Sequence, residues 1–188
     1  MTWQQKPILL TSMQQKNKLL DSQKRQVFYS FEYETDVFRV QQIRHIGAID
    51  EGGTLVSPSD WEELKRKTER GIKIWINEKM FYRSCVIVLI GENTASSKWV
   101  KYEIEKALDY KTAILGIYIH NLKCPRNGKG KKGNNPFDKV YLPNGTCLST
   151  LIKCYDPKPS DAYNDIANHL VDWVETAILE KLKIYERT

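Results

Sequence analysis

At 188 residues, 41% hydrophobic and 28% charged, with a mean hydropathy of −0.52, the chain has the makeup of a soluble globular protein large enough for one sizeable core. No apolar stretch approaches the roughly 20 residues a membrane span requires, and residues 1–10 lack the basic-then-apolar order of a signal peptide, so the expected location is the cytoplasm, without a membrane partner. Lys and Arg outnumber Asp and Glu by 29 to 23, and the net charge of +6 suits either anionic partners or plain solubility.

Residues 1–24 read as an N-terminal extension. Leu9, Leu10, Met13, Leu19 and Leu20 are loosely spaced among Gln, Lys and Asn, which fits a short amphipathic helix, a disordered arm or a docking segment for a second subunit. Residues 25–188 form the expected domain. Residues 26–31 (QVFYSF) open it as a strand, residues 32–35 make a loop, and Thr35 is expected to cap a helix over residues 36–45 with Val37, Val40 and Ile43 inward. Leu55 and Val56, after the Gly52-Gly53 turn, suit a short edge strand. Ser59 and Glu62 then form a capping box for one helix whose inner face runs through Trp61, Leu64, Thr68, Ile72, Trp75 and Ile76.

The stretch SCVIVLIGENTASSKWVKYEIEKALDY, residues 84–110, organises the rest. Residues 85–90 are unbroken, β-branched and too short for a helix, as in a buried parallel strand. Gly91 ends the strand, and the serines at 96 and 97 offer an N-cap for a helix carrying Val100, Ile104, Ala107, Leu108 and Lys111 on one stripe. Glu103 falls on the flank of that stripe, where partial burial can tune an acid. Glu105 follows Lys101 by four residues on the solvated face, the weaker order for a helical ion pair.

Residues 113–119 (AILGIYI) make another buried strand, ending at His120 and Asn121. A glycine-rich basic loop follows over residues 123–139, expected to be mobile. A last strand is expected near residues 151–155 and a final helix over residues 160–183, with Tyr163, Ile166, Ala167, Leu170, Trp173, Val174, Ala177 and Ile178 on its inner stripe. Alternating strands and helices predict an α/β fold: a flavodoxin-like, doubly wound, mainly parallel five-stranded sheet of order 2-1-3-4-5 with helices on both faces. Ligands of such sheets sit outside the carboxyl ends of the strands, which directs attention to the loop after residue 30 and to Glu103.

Other chemistries find little support. Gly128, Gly130 and Gly133 are not followed by Lys-Ser or Lys-Thr and no strand immediately precedes them, so they are no phosphate loop. Cys85, Cys124, Cys147 and Cys154 contain no C-x-x-C pair and have only His45, His120 and His169 for company, so no metal is expected and the thiols read as reduced. The basic loop has only Phe137 nearby as a stacking residue, which argues against a nucleic-acid partner. Asn144-Gly145-Thr146 reads as a turn, and Trp61, Trp75 and Trp173 as packing residues by default.

The segment QVFYSFEYETD resembles the opening strand and loop of the Toll/interleukin receptor (TIR) fold, and SSKWVKYEI resembles its catalytic segment, with a Trp four residues before the glutamate. Taken with SPSDW, VLIGENTASSKWVKYEIEKAL, ILGIYIHNLK and GNNPFD, the chain from about residue 24 to 138 resembles the TIR proteins of the bacterial Thoeris anti-phage system. That resemblance implies Glu103 as the catalytic glutamate, Ser30, Phe31 and Tyr33 as the first substrate loop and, beside its packing role, Trp61 as a substrate contact. It implies NAD as substrate rather than cofactor, with nicotinamide and a cyclic ADP-ribose-type messenger as products, an effector reached through that messenger, and some capacity for self-association. The chain has DEGGTLVSP where receptor adaptors carry an Arg-Asp and Pro-Gly loop, so adaptor scaffolding is not implied; a catalytically silent interaction module is the alternative. Because scattered leucines bury little area, removal of residues 1–24 is expected to leave the melting temperature within a few degrees of the full chain by calorimetry.

Overall fold

The computed structural model describes residues 24–49 and 58–186, with the side chains of residues 58–60 outside that description. In chain order the elements are β1 (Val27–Ser30), α1 (Tyr33–His45), α2 (Pro58–Lys65), α3 (Glu69–Met80), β2 (Cys85–Ile90), α4 (Lys98–Asp109), β3 (Ala113–Tyr118), β4 (Cys154–Tyr155), α5 (Ala162–Glu180) and α6 (Leu182–Tyr185), with short 3-10 turns at Thr94–Ser96, Pro136–Lys139 and Leu148–Thr150. The four described strands are all parallel, in the order β1-β2-β3-β4, with Val27 beside Cys85 and Cys85 beside Ala113. Five strands were expected. The strand at Leu55 and Val56, the capping box at Ser59 and residues 1–23 lie outside the described residues.

The period of two along β2 builds two cores from one strand. Cys85, Ile87 and Leu89 point into a cluster with Val40 and Ile43 of α1 and Ile166, Leu170 and Val174 of α5. Val86, Val88 and Ile90 point into a second cluster with Ile76 and Met80 of α3, Val100 and Ile104 of α4, and Phe137. Both faces of the sheet are therefore covered by helices, as parallel strands require, because their crossovers lie there.

Several sequence expectations are corrected. Helix α1 starts at Tyr33, with Glu32 at the N-cap position, so Thr35 lies inside the helix and its hydroxyl donates to Asp36 Oδ2 (3.0 Å). Ser97 stands at the N-cap of α4 without a side-chain cap bond; the neighbouring turn is tied instead by Thr94, whose Oγ1 accepts from Gly91 N–H (2.9 Å). The single helix expected from residue 59 to 76 is two: α2 ends at Lys65, and Thr68 starts α3 by accepting from Gly71 N–H (3.2 Å). Lys111 falls beyond the end of α4 and is exposed, and Tyr163 is turned to solvent on α5. The last strand is shorter than expected because Leu151 and Ile152 still donate their N–H groups back to the Leu148 carbonyl, so the chain extends into strand only at Cys154. The Asn144-Gly145-Thr146 turn is found, with Gly145 at φ +83.

The basic loop is held down rather than mobile. Arg39, buried in α1, donates Nε to the Leu122 carbonyl (3.0 Å), Nη2 to the Gly128 carbonyl (3.1 Å) and Nη1 to Asp36 Oδ1 (3.0 Å). Lys132 pairs with Asp156 (2.6 Å) over the Tyr118 ring, and Lys129 bonds the Pro159 carbonyl. Packing is so close at the strand ends that a Cβ on Gly91 would lie 2.1 Å from Asp36 Oδ2, and one on Gly133 would lie 2.0 Å from the Gly91 carbonyl oxygen. Asn135 then caps the Pro136–Lys139 turn by accepting from Phe137 N–H (3.0 Å), which drives Phe137 into the core. Arg39→Ala would strand the Asp36 carboxylate in the interior and take the guanidinium donor from the Leu122 and Gly128 carbonyls, the latter keeping its bond from Cys124 N–H. The expected cost is about 3–5 kcal/mol in urea unfolding, whereas replacing exposed Lys131 with Ala should move stability by less than about 0.5 kcal/mol.

Candidate functional site

The end of β1 and the first two turns of α4 meet at the carboxyl edge of the sheet because β1 pairs directly with β2, which feeds α4 through the loop 91–97. Ser30 is the last residue of β1 and is 1% exposed. Its hydroxyl donates to Glu103 Oε2 at 2.6 Å. Glu103 is itself buried, on the inner face of α4 one residue from Ile104.

A cavity of about 280 Å³ opens over this pair. Its walls are mainly aromatic: Phe31 and Tyr33 from the turn after β1, Trp61 from α2, Trp75 from α3 and Trp99 from α4. Tyr33 stacks on Trp61 (centroids 4.4 Å apart, planes 18° apart) and meets Phe31 at 5.9 Å. Glu34 anchors the outer wall, accepting from Trp61 Nε1 (3.2 Å) and from Lys65 (3.4 Å).

Burial dominates the electrostatics of Glu103. It pushes the carboxyl up to about 8, against the hydrogen bond from Ser30, which favours the charged form, and with help from nearby Glu32, which opposes it. Asp36 is also raised by burial, against the hydrogen bond from Thr35 and its ion pair with Arg39. It sits with Arg39 in a separate polar crevice of about 240 Å³, beside Gly91 and His120. Among the described residues no group of three His, Cys, Asp or Glu side chains is placed to hold a metal ion, and none of the described helices is long and apolar enough to cross a membrane.

The structure gathers the five residues singled out in the sequence. Glu103, Phe31, Tyr33 and Trp61 line one cavity, while Ser30 lies behind Glu103, bonded to it rather than open to a ligand. Trp75 and Trp99 were missed as cavity residues. Trp75 lies on the helical stripe that signals core, yet with Trp61 of α2 it lines the cavity instead. Trp173 does pack, stacked on Tyr155 at 4.4 Å. Glu105 is exposed, 4.0 Å from Lys101.

A parallel sheet wrapped on both faces, with a buried glutamate one turn after a tryptophan at its carboxyl edge, defines a TIR-like domain. The chain belongs to the family described as "Thoeris protein ThsB, TIR-like domain", whose sequence pattern matches residues 28–124, just over half of its length. It is also similar to a protein of Bacillus cereus (strain MSX-D12) named "Putative cyclic ADP-D-ribose synthase ThsB1", with 34% identity over 118 residues, 61% of this chain and 62% of that protein. The chain thus spans about three-fifths of the length of that relative.

The raised Glu103 carboxyl has a consequence for folding. The native state holds a proton there that the unfolded chain releases near pH 4.5, so stability contributed by this group is full below that value and declines as pH rises towards about 8. Chemical denaturation from pH 5 to 8.5 should show a fall of a few kcal/mol in wild type, and Glu103→Gln should flatten that slope.

Proposed function

We propose that the chain is a TIR-type NAD-consuming enzyme, an NAD glycohydrolase or ADP-ribosyl cyclase, that releases nicotinamide and makes a cyclic ADP-ribose-type messenger for an anti-phage effector. One observation supports this above the others: a buried carboxyl group, that of Glu103, held by Ser30 and lining an aromatic-walled cavity. The ThsB family membership and the name of the Bacillus cereus relative agree with it.

The chemistry needs no more than one carboxylate. When the bond between the ribose C1′ and the pyridinium nitrogen breaks, the electron pair leaves with nicotinamide, which departs neutral and needs no acid. The barrier is the oxocarbenium-like ribose left behind, and Glu103 faces it with negative charge or accepts its hydroxyl hydrogen bonds. The free site holds Glu103 largely protonated near neutral pH, and a cationic nicotinamide ring beside it favours loss of that proton by direct charge attraction. Ser30 acts as a positioning residue, donating to the carboxylate oxygen. Phe31, Tyr33 and Trp61 supply stacking surface for the flat ring, and their apolar walls limit water, so that a nucleophile on the same molecule competes for C1′ and closes a ring.

A silent interaction module with the same fold is separated by direct assay. Glu103→Gln keeps the shape and removes the charge, and nicotinamide release should fall by ~10²–10³, the usual cost of losing one preorganised charge stabiliser. Glu105→Gln removes only an exposed pair worth at most about 0.3–0.5 kcal/mol and should leave turnover nearly unchanged. The pH profile of kcat/KM should rise towards about pH 8, following ionisation of Glu103 in the free enzyme. Equal activity of Glu103→Gln and wild type, with both folded by melting curves, would sink the enzymatic reading.

A further inference from the structure

We propose that a second surface, running from Phe81 and Tyr82 across Tyr110 into the groove between α4 and residues 139–143, docks an acidic segment of a partner protein that carries an apolar anchor. It stands independently of the activity proposed above, since none of these residues lines the Glu103 cavity.

The surface begins with a turn built against its own side-chain preference. After α3 the chain reverses with Phe81 at φ −59, ψ 135 and Tyr82 at φ +66, closed by Arg83 N–H to the Met80 carbonyl at 3.1 Å. That is a type II turn, whose third position favours Gly or Asn because of its positive φ. A tyrosine there carries strain, and 86% of it is exposed. Its ring meets Phe81 edge-on at 4.3 Å; Phe81 is 52% exposed and meets Tyr110 edge-on at 5.9 Å. Three rings from the ends of two helices thus gather in solvent without entering either core. Backbone strain kept where the fold gains little from it points to a surface retained for binding.

Beyond Tyr110 the patch continues into an open groove of about 370 Å³, floored by Leu108, Val140 and Leu142 and overlooked by Tyr141, which is 62% exposed. Charge on the rim selects the partner. Asp109 is held by Lys106 at 2.7 Å and Glu105 faces Lys101 at 4.0 Å, whereas Lys111 and Lys139 have no ion-pair partner among the described residues. The uncompensated charge is positive, and exposed aromatics beside it have the composition of a protein interface with its anchors and steering charge. A second copy docked on the same patch by two-fold symmetry would set these lysines against their own counterparts. A nucleic-acid strand fits less well, because the aliphatic floor of Leu108, Val140 and Leu142 suits an apolar anchor and offers a phosphate backbone no donor.

The test is selection of displayed random 16-residue peptides on the full-length protein, with affinities of synthetic copies measured by fluorescence anisotropy. Selected peptides should be rich in Asp and Glu around Leu, Phe or Trp, and Tyr82→Gly and the double variant Lys111→Glu, Lys139→Glu should each weaken them at least about tenfold. Because Gly suits the turn, Tyr82→Gly should keep or raise the melting temperature, by up to about 2–4 °C. The proposal is overturned if no acidic peptides are selected, if they bind the variants as well as wild type, or if Tyr82→Gly is markedly less stable. It is equally overturned if sedimentation shows a dimer that Tyr82→Gly abolishes, or if the surface binds a 20-nucleotide single strand of deoxythymidine in preference to the peptides.

Discussion

The bond between Ser30 and Glu103 is the constraint around which the carboxyl edge of the sheet is arranged. Burying a carboxyl group is unfavourable, and it persists here because a hydroxyl meets it at 2.6 Å and because protonation removes the charge when the site is free. Both consequences depend on the parallel pairing of β1 with β2. Ser30 lies beside Val88 in the ladder, so the last residue of one strand comes beneath the second turn of the helix that follows its neighbour. A shift of register by one residue would turn Ser30 to the opposite face and leave the acid without its donor.

The other side of the same edge is held by a second buried acid with a different solution. Asp36 is paired with Arg39, and Arg39 also reaches the carbonyls of Leu122 and Gly128, so one guanidinium links α1 to the basic loop. The requirement for no side chain at Gly91 and Gly133 belongs to this contact, where backbone and carboxylate come within van der Waals distance. Between the two acids runs the first turn of α1, with Tyr33 facing the aromatic cavity and Asp36 facing the polar crevice. The turn that shapes the proposed substrate wall is therefore seated on the ion pair that anchors the loop.

In the two readings proposed above, chemistry and partner contact use different faces of one helix. The buried face of α4 holds Glu103, and its exposed face and far end border the aromatic and lysine-rimmed groove. A helix with two such faces lets one element serve a small molecule and a larger partner without either occupying the other's surface.

Strand and helix content and the parallel sheet were legible in the sequence, because period two and period 3.6 are local signals, and the short WVKYEI block singled out Glu103, the acid that the fold buries. The turn at Gly145 was also accessible, through turn chemistry that acts over two residues, whereas Phe137, read as a stacking residue near the basic loop, is buried in the core. What failed depended on contacts distant in sequence. Thr35 looked like a cap, yet α1 begins two residues earlier and places Tyr33 over the cavity. Lysines and glycines in residues 123–139 looked mobile, because nothing local reveals that Arg39, 89 residues before Gly128, holds that loop. Trp75 and Trp61 looked like core, because a helical stripe reports that a face is covered and not whether a cavity lies beneath the cover. Apolar residue types and their spacing were enough to set the layers of the fold. That Ser30 and Glu103, 73 residues apart, share a hydrogen bond emerges in three dimensions alone, because their separation is set by strand register and by packing of both sheet faces at once.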